Sequence, residues 1–172
     1  MARAAGAVLC LVLAACGGGA PEIDAPATIE LTSPTIAPGA EIPRVHTCDG
    51  EDRSPALKWN PVGGSEGYAL TMTDPDARGF VHWVVYGLPA SVTSLPEGEV
   101  PAEARLGTND FGRKGYGGPC PPPGQGPHRY VITLYAHGAT ALPPEGATLE
   151  EVLRALADAL IAKGELKATY ER

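Results

Sequence analysis

The chain has 172 residues, and its 22 Gly and 18 Pro make nearly a quarter of it punctuators of helices and strand interiors, which excludes a helical bundle or a coiled coil. A hydrophobic fraction of 44% against 19% charged suffices to bury the core of one domain, so global disorder is excluded as well. Thirteen Lys and Arg against 20 Asp and Glu leave a net charge of −7, which argues against nucleic acid as a partner and requires any bound anion to be held by a few local donors.

Met1-Ala-Arg3 is a short positive start, followed by an uncharged stretch from Ala4 to Ala15 that contains Val8, Leu9, Leu11, Val12 and Leu13. At about twelve residues it is too short to span a bilayer and reads as a secretory signal. It closes in Leu13-Ala14-Ala15-Cys16 before three glycines, which resembles the lipobox of bacterial lipoproteins. That resemblance implies cleavage before Cys16 and acylation of its thiol, with an ordinary signal and an incidental Cys as the alternative. The chain then divides into a signal at 1–15, a lipidated Cys with a flexible tether at 16–27, and one domain at 28–172. The implied location is the cell envelope outside the cytoplasm, with a lipid anchor in the membrane. Cleavage removes Arg3, leaving 12 positive and 20 negative side chains and a net charge of −8.

Within the domain, short alternating runs dominate. Thr28-Ile-Glu-Leu31 comes first; Tyr68-Ala-Leu70-Thr-Met72-Thr follows, then Val81-His-Trp83-Val-Val85-Tyr, then Tyr130-Val-Ile132-Thr-Leu134-Tyr. Strict alternation places Val81, Trp83 and Val85 on one face and His82, Val84 and Tyr86 on the other. Gly and Pro clusters separate these β-branched and aromatic runs, which predicts an antiparallel sheet or sandwich. One helix is predicted near the end: Thr148-Leu-Glu-Glu151 has the form of a capping box, and Leu149, Val152, Leu153, Leu156 and Leu160 form one stripe. Gly164 reads as its stop, and Glu165 to Tyr170 as a return to the sheet.

Three strand ends concentrate reactive groups: Asp74-Pro75-Asp76, His82-Trp83 and His128-Arg129-Tyr130. The Asp pair can be a plain Asx-type turn. Carboxylates near His82 and His128 would instead hold both imidazoles as charged, doubly donating groups, and with the Tyr130 hydroxyl they would make an anion pocket. A metal centre is the rival, but the spacings match no known ligand motif, so no metal or other cofactor is expected. A long Gly- and Pro-rich loop from Gly107 to Gly124 reads as a wall of the site; it lacks P-loop spacing. Once the signal is cut, Cys48 and Cys120 are the thiols of the domain, and an oxidising compartment favours their pairing.

Thr47-Cys48-Asp-Gly-Glu-Asp52-Arg-Ser54-Pro55, Asp74-Pro-Asp76-Ala77, Phe80-Val-His82-Trp83-Val-Val-Tyr86, Asn109-Asp-Phe-Gly112, Gly115-Tyr-Gly-Gly-Pro119 and Gly126-Pro-His128-Arg-Tyr130 stand in order along the chain. Together they resemble the phosphatidylethanolamine-binding protein family, most of all its bacterial and archaeal branch of Raf kinase inhibitor-like proteins. The resemblance covers Thr28 to Arg172 and implies a mainly β fold, a Greek-key β-sandwich with a C-terminal amphipathic helix. It further implies that Asp74, Asp76, His82, His128 and Tyr130 line a small pocket for a phosphate-like anion or a phospholipid headgroup. Two departures bear on that pocket. Arg78 stands where the family has a Pro after a cis peptide, so a trans turn is expected there, with Arg78 as a solvated residue or an added positive charge. Ala159 stands where many relatives have a His in the C-terminal helix, so that helix would add less polarity to the rim. The family consists mostly of binders and modulators, which makes a headgroup or anion binder the leading expectation rather than an enzyme. A module that inhibits serine proteases is the alternative. A hydrolase using the Asp/His cluster is weaker still, because no Ser lies in a Gly-x-Ser-x-Gly elbow.

Overall fold

A computed structural model describes residues 21–172, so the signal and Cys16 lie outside the described residues. Nine strands and one helix follow in the order β1 (Ala27–Thr28), β2 (Leu31–Thr32), β3 (Leu57–Trp59), β4 (Gly67–Asp74), β5 (Phe80–Pro89), β6 (Ser94–Leu95), β7 (Arg105–Leu106), β8 (His128–His137), α1 (Leu149–Leu156) and β9 (Leu160–Tyr170). They form a six-stranded sheet, β1-β9-β8-β4-β5-β7, and a three-stranded sheet, β2-β3-β6. Pairing is antiparallel throughout except at β1, which runs parallel to β9. Tyr68, Leu70, Met72, Trp83, Tyr130, Ile132 and Leu134 of the large sheet share one buried cluster with Leu31, Leu57, Trp59 and Leu95 of the small one, so the two sheets are the layers of a sandwich.

The other face of the large sheet carries a second cluster, in which Ala69, Val84, Tyr86 and Tyr135 pack beneath Leu149, Val152, Leu153 and Leu156 of α1. α1 begins as its sequence predicts, with the Thr148 hydroxyl accepting from Glu151 N at 3.3 Å and Glu151 Oε2 accepting from Thr148 N at 2.8 Å. Its end differs. The helix stops at Leu156, a 3-10 turn covers Ala157–Ala159, and Leu160 already starts β9. Leu160 therefore belongs to the sheet, because the alternation of β9 runs back through Ile161 and Ala162 to the helix end.

Gly164 is not a helix stop but a crossing point. A Cβ there would lie 2.2 Å from the Ile29 carbonyl oxygen, where the chain leaves β1 and passes to the other sheet at β2. This crossing splits the run Thr28–Leu31, which alternation reads as one strand, into two two-residue strands in different sheets. Gly164→Ala is expected to cost about 1–3 kcal/mol by forcing that backbone apart; a urea unfolding midpoint equal to that of the parent would refute the crossing. Residues before Thr28 also contact the sheet: Ile23 packs against the cluster under α1, and Lys163 Nζ donates to Glu22 at 2.8 Å.

Candidate functional site

β4 ends in Asp74, whose side chain is buried and accepts hydrogen bonds at both oxygens. Oδ1 accepts from Asp76 N at 2.9 Å and Ala77 N at 3.0 Å, capping the 3-10 turn Pro75–Ala77, and Oδ2 accepts from His128 Nδ1 at 2.7 Å. Pro75 fits the first position of that turn because it has no N–H to lose there. The turn exits through Arg78 in the left-handed region, φ 60°, with a trans peptide before it, as expected of a residue that is not Pro. Asp74 is thus both the local cap and the group that fixes the ring of His128, the first residue of β8.

His82 reaches the same place through an irregularity that alternation does not foresee. Met72 pairs with Trp83 and Thr73 with Val81, which leaves His82 as the extra residue of a β-bulge. The bulge corrects the predicted facing. Val81 joins Val84 and Tyr86 beneath α1, whereas the His82 ring meets the Tyr130 ring edge-to-face at 5.2 Å, toward the cluster between the sheets. His82 Nδ1 donates to Gly117 O at 2.7 Å, and Gly117 N donates back to His82 O at 2.9 Å. Phe111 closes the outer side, with ring centroids 5.4 Å from His82 and 4.8 Å from Phe80.

The Gly107–Gly124 loop does form this wall, and its rigidity has named causes. Asn109 Nδ2 donates to Gly115 O, its Oδ1 accepts from Phe111 N and Arg113 N, and Asp110 Oδ2 accepts from Val81 N at 2.7 Å beside the bulge. Asp52 then accepts from Gly118 N and from Arg113. These residues, together with the Gly117 carbonyl, escape a reading by side-chain chemistry. The ordered motifs Thr47–Pro55, Asn109–Gly112 and Gly115–Pro119 are the sequence signals that point at them.

Electrostatics revise two expectations. Burial depresses the His82 pKa below its usual value, and the Gly117 carbonyl and Asp74 offset this only in part, so the ring is neutral at pH 7 rather than held charged by a carboxylate. Asp76 orients neither imidazole: it accepts from Arg129 N at 2.8 Å and from Arg129 Nη2 at 2.6 Å, and that pair lowers its pKa to about 2. Tyr130 Oη is buried with no hydrogen bond of good geometry; burial first, and then the nearby Asp74 carboxylate, raise its pKa. The structure thus gathers Asp74, His82, His128 and Tyr130, and turns Asp76 outward to Arg129. Ala159, expected at the rim, sits at the opposite end of β8, where its carbonyl accepts from Gly138 N. Among the described residues, no three His, Cys, Asp or Glu side chains meet in a group able to hold a metal ion, and no helix is long and apolar enough to cross a membrane.

Comparison with known proteins gives three concordant results. A family model described as phosphatidylethanolamine-binding protein matches residues 32–171. The chain is 41% identical to a UPF0098 protein of Aquifex aeolicus, over 85% of this chain and 90% of that protein, and 38% identical to a Mycobacterium tuberculosis protein named "Putative lipoprotein LppC", over 97% and 94%. The crystal structure of Escherichia coli YbcL, described as a new member of the mammalian PEBP family, superposes with a TM-score of 0.79 at 34% identity, over 85% of this chain and 99% of that one.

Proposed function

Because the chain belongs to the phosphatidylethanolamine-binding protein family, we propose that it is a lipid-anchored binding protein of the cell envelope whose His82, His128 and Tyr130, with Asp74 orienting His128, hold a small phosphate-like anion, free or as a lipid headgroup. The observation that carries this reading is the Tyr130 hydroxyl, buried and without a partner. Such a group costs about 1–3 kcal/mol unless something accepts its proton. Around it stand two imidazoles whose Nδ1 atoms are engaged, His128 with Asp74 and His82 with Gly117, so each keeps Nε2 for a ligand. The phenol O–H donates as it stands, and each Nε2 becomes a donor once its ring takes up a second proton, so the three groups suit the oxygens of a phosphate-like group and supply the local donors that an acidic protein needs.

The sign of the pH dependence follows from His82. Its ring is neutral in the free domain, a bound anion favours the protonated form, and binding therefore takes up a proton. Millimolar phosphate or phosphoethanolamine is expected to raise the melting temperature more at pH 6 than at pH 8, and His128→Ala is expected to abolish the rise. Absence of any shift at both pH values would remove the anion reading. The anchor rests on Cys16 and on the lipoprotein name carried by a relative that matches 97% of the chain. Cys16→Ser should end metabolic labelling with palmitate, and unchanged labelling would place the lipid elsewhere.

A further inference from the structure

The outer face of the six-stranded sheet has two halves. α1 covers one, and the other is an open groove of about 490 Å³ whose lining includes Thr71, Thr73, Thr133 and Lys167. Strand register orders this surface. Tyr135 pairs with Lys163 at one end, followed by the pairs Thr133–Glu165 and Val131–Lys167, and Arg129 pairs with Thr169 at the other. The first end is where the N-terminal segment is fastened: Glu22 accepts from Lys163 Nζ at 2.8 Å, and Ile23 packs beneath α1. The second end, with Pro75, Gly79 and Arg129, adjoins Asp74 and His128 and so borders the anion site.

Chain length limits where the anchor can be. Six residues take the chain from Cys16 to Glu22, and a fully extended chain spans at most about 3.6 Å per residue, so Cys16 lies within about 22 Å of this face. The tether joins the domain at the groove itself, which Pro21 and Glu22 line, so the short link to Cys16 starts from the open half of this face and not from the three-stranded sheet.

We propose that the open half of this face, from Glu22 to Arg129, docks on the headgroup layer of the membrane in which Cys16 is lodged, and brings the rim of the anion site to that layer. The proposal rests on the reading of Cys16 as lipidated. The chemistry of the face fits zwitterionic headgroups. Its cations alternate with carboxylates, Lys163 and Lys167 flanking Glu165 and Arg129 pairing with Asp76, and threonine hydroxyls lie between them. A tethered surface needs little intrinsic affinity, because the anchor holds it at high effective concentration.

The test uses the full lipidated chain reconstituted into vesicles of phosphatidylcholine and phosphatidylethanolamine. With Cys48 and Cys120 paired, a cysteine introduced by Lys167→Cys, or by Lys58→Cys on the exposed face of the three-stranded sheet, takes a single fluorophore. Energy transfer to a headgroup-labelled lipid is expected to be several-fold stronger from position 167 than from position 58. Equal transfer, or stronger transfer from 58, overturns the docking face. Failure of the protein to float with the vesicles overturns the anchor and this proposal together, and leaves the anion reading to its own thermal test on the free domain.

Discussion

Asp74→Ala should lower the unfolding free energy by about 3–5 kcal/mol, the largest loss expected of any single substitution at the site. Two effects combine. The 3-10 turn loses the acceptor for Asp76 N and Ala77 N, and His128 Nδ1, in a nearly buried ring, loses the carboxylate that accepts from it at 2.7 Å. Asp74→Asn separates them. The amide oxygen can still cap the turn, so most of the stability is retained, but the amide NH2 then faces Nδ1. The ring must present a lone pair there and carry its proton on Nε2, without a negative charge behind it. The Asp74→Asn variant is accordingly expected to fold, with a loss of about 1–2 kcal/mol, and to bind phosphate at pH 6 much more weakly than the parent. Urea unfolding of both variants and a phosphate titration of the amide variant check this. A loss below about 1 kcal/mol for Asp74→Ala would show that the cap and the buried pair contribute little.

How much of this arrangement can be read from the chain depends on the range of each cause. β4, β5 and β8 are legible because alternation is local, and α1 because its capping box lies within four residues. The site residues are legible as a set of strand-end acids and imidazoles, since such groups rarely gather by packing alone. Their facing is not. A period of two assumes unbroken register, and the bulge at His82 arises from pairing with Thr73 and Met72, which no local pattern around His82 records. Proximity along the motif assigns Asp76 to the imidazoles; its actual partner, Arg129, lies 53 residues away and sits beside it only through the β4–β8 register. Gly164 misleads for the same reason. What requires glycine there is the backbone of Ile29, a contact set by the crossover between sheets. Strands of two residues such as β1 and β2 carry no period at all, so their division between two sheets is visible only in space.

The disulfide is where a local reading and a long-range one agree, and removing it should have an effect comparable to that of Asp74→Ala. Cys48 and Cys120 are joined, with Cα atoms 5.4 Å apart and a sequence separation of 72. A link of that span restricts the unfolded chain by about 4 kcal/mol in the loop-entropy account. Cys48→Ser with Cys120→Ser is therefore expected to lower stability by roughly that amount, with a steeper urea dependence because the freed unfolded chain exposes more surface. The folded site should change little. The segment around Cys48 and the loop carrying Gly117 stay joined by Cys48 N to Pro119 O at 3.1 Å, Tyr116 Oη to His46 O at 2.6 Å, Gly118 N to Asp52 Oδ1 at 2.6 Å and the Arg113–Asp52 ion pair. Phosphate affinity measured below the melting temperature should thus match that of the parent, while the denatured, unreduced parent shows no titratable thiol. If affinity falls together with stability, the bond positions the Gly117 carbonyl for His82, and its contribution lies in the native site rather than in the unfolded chain.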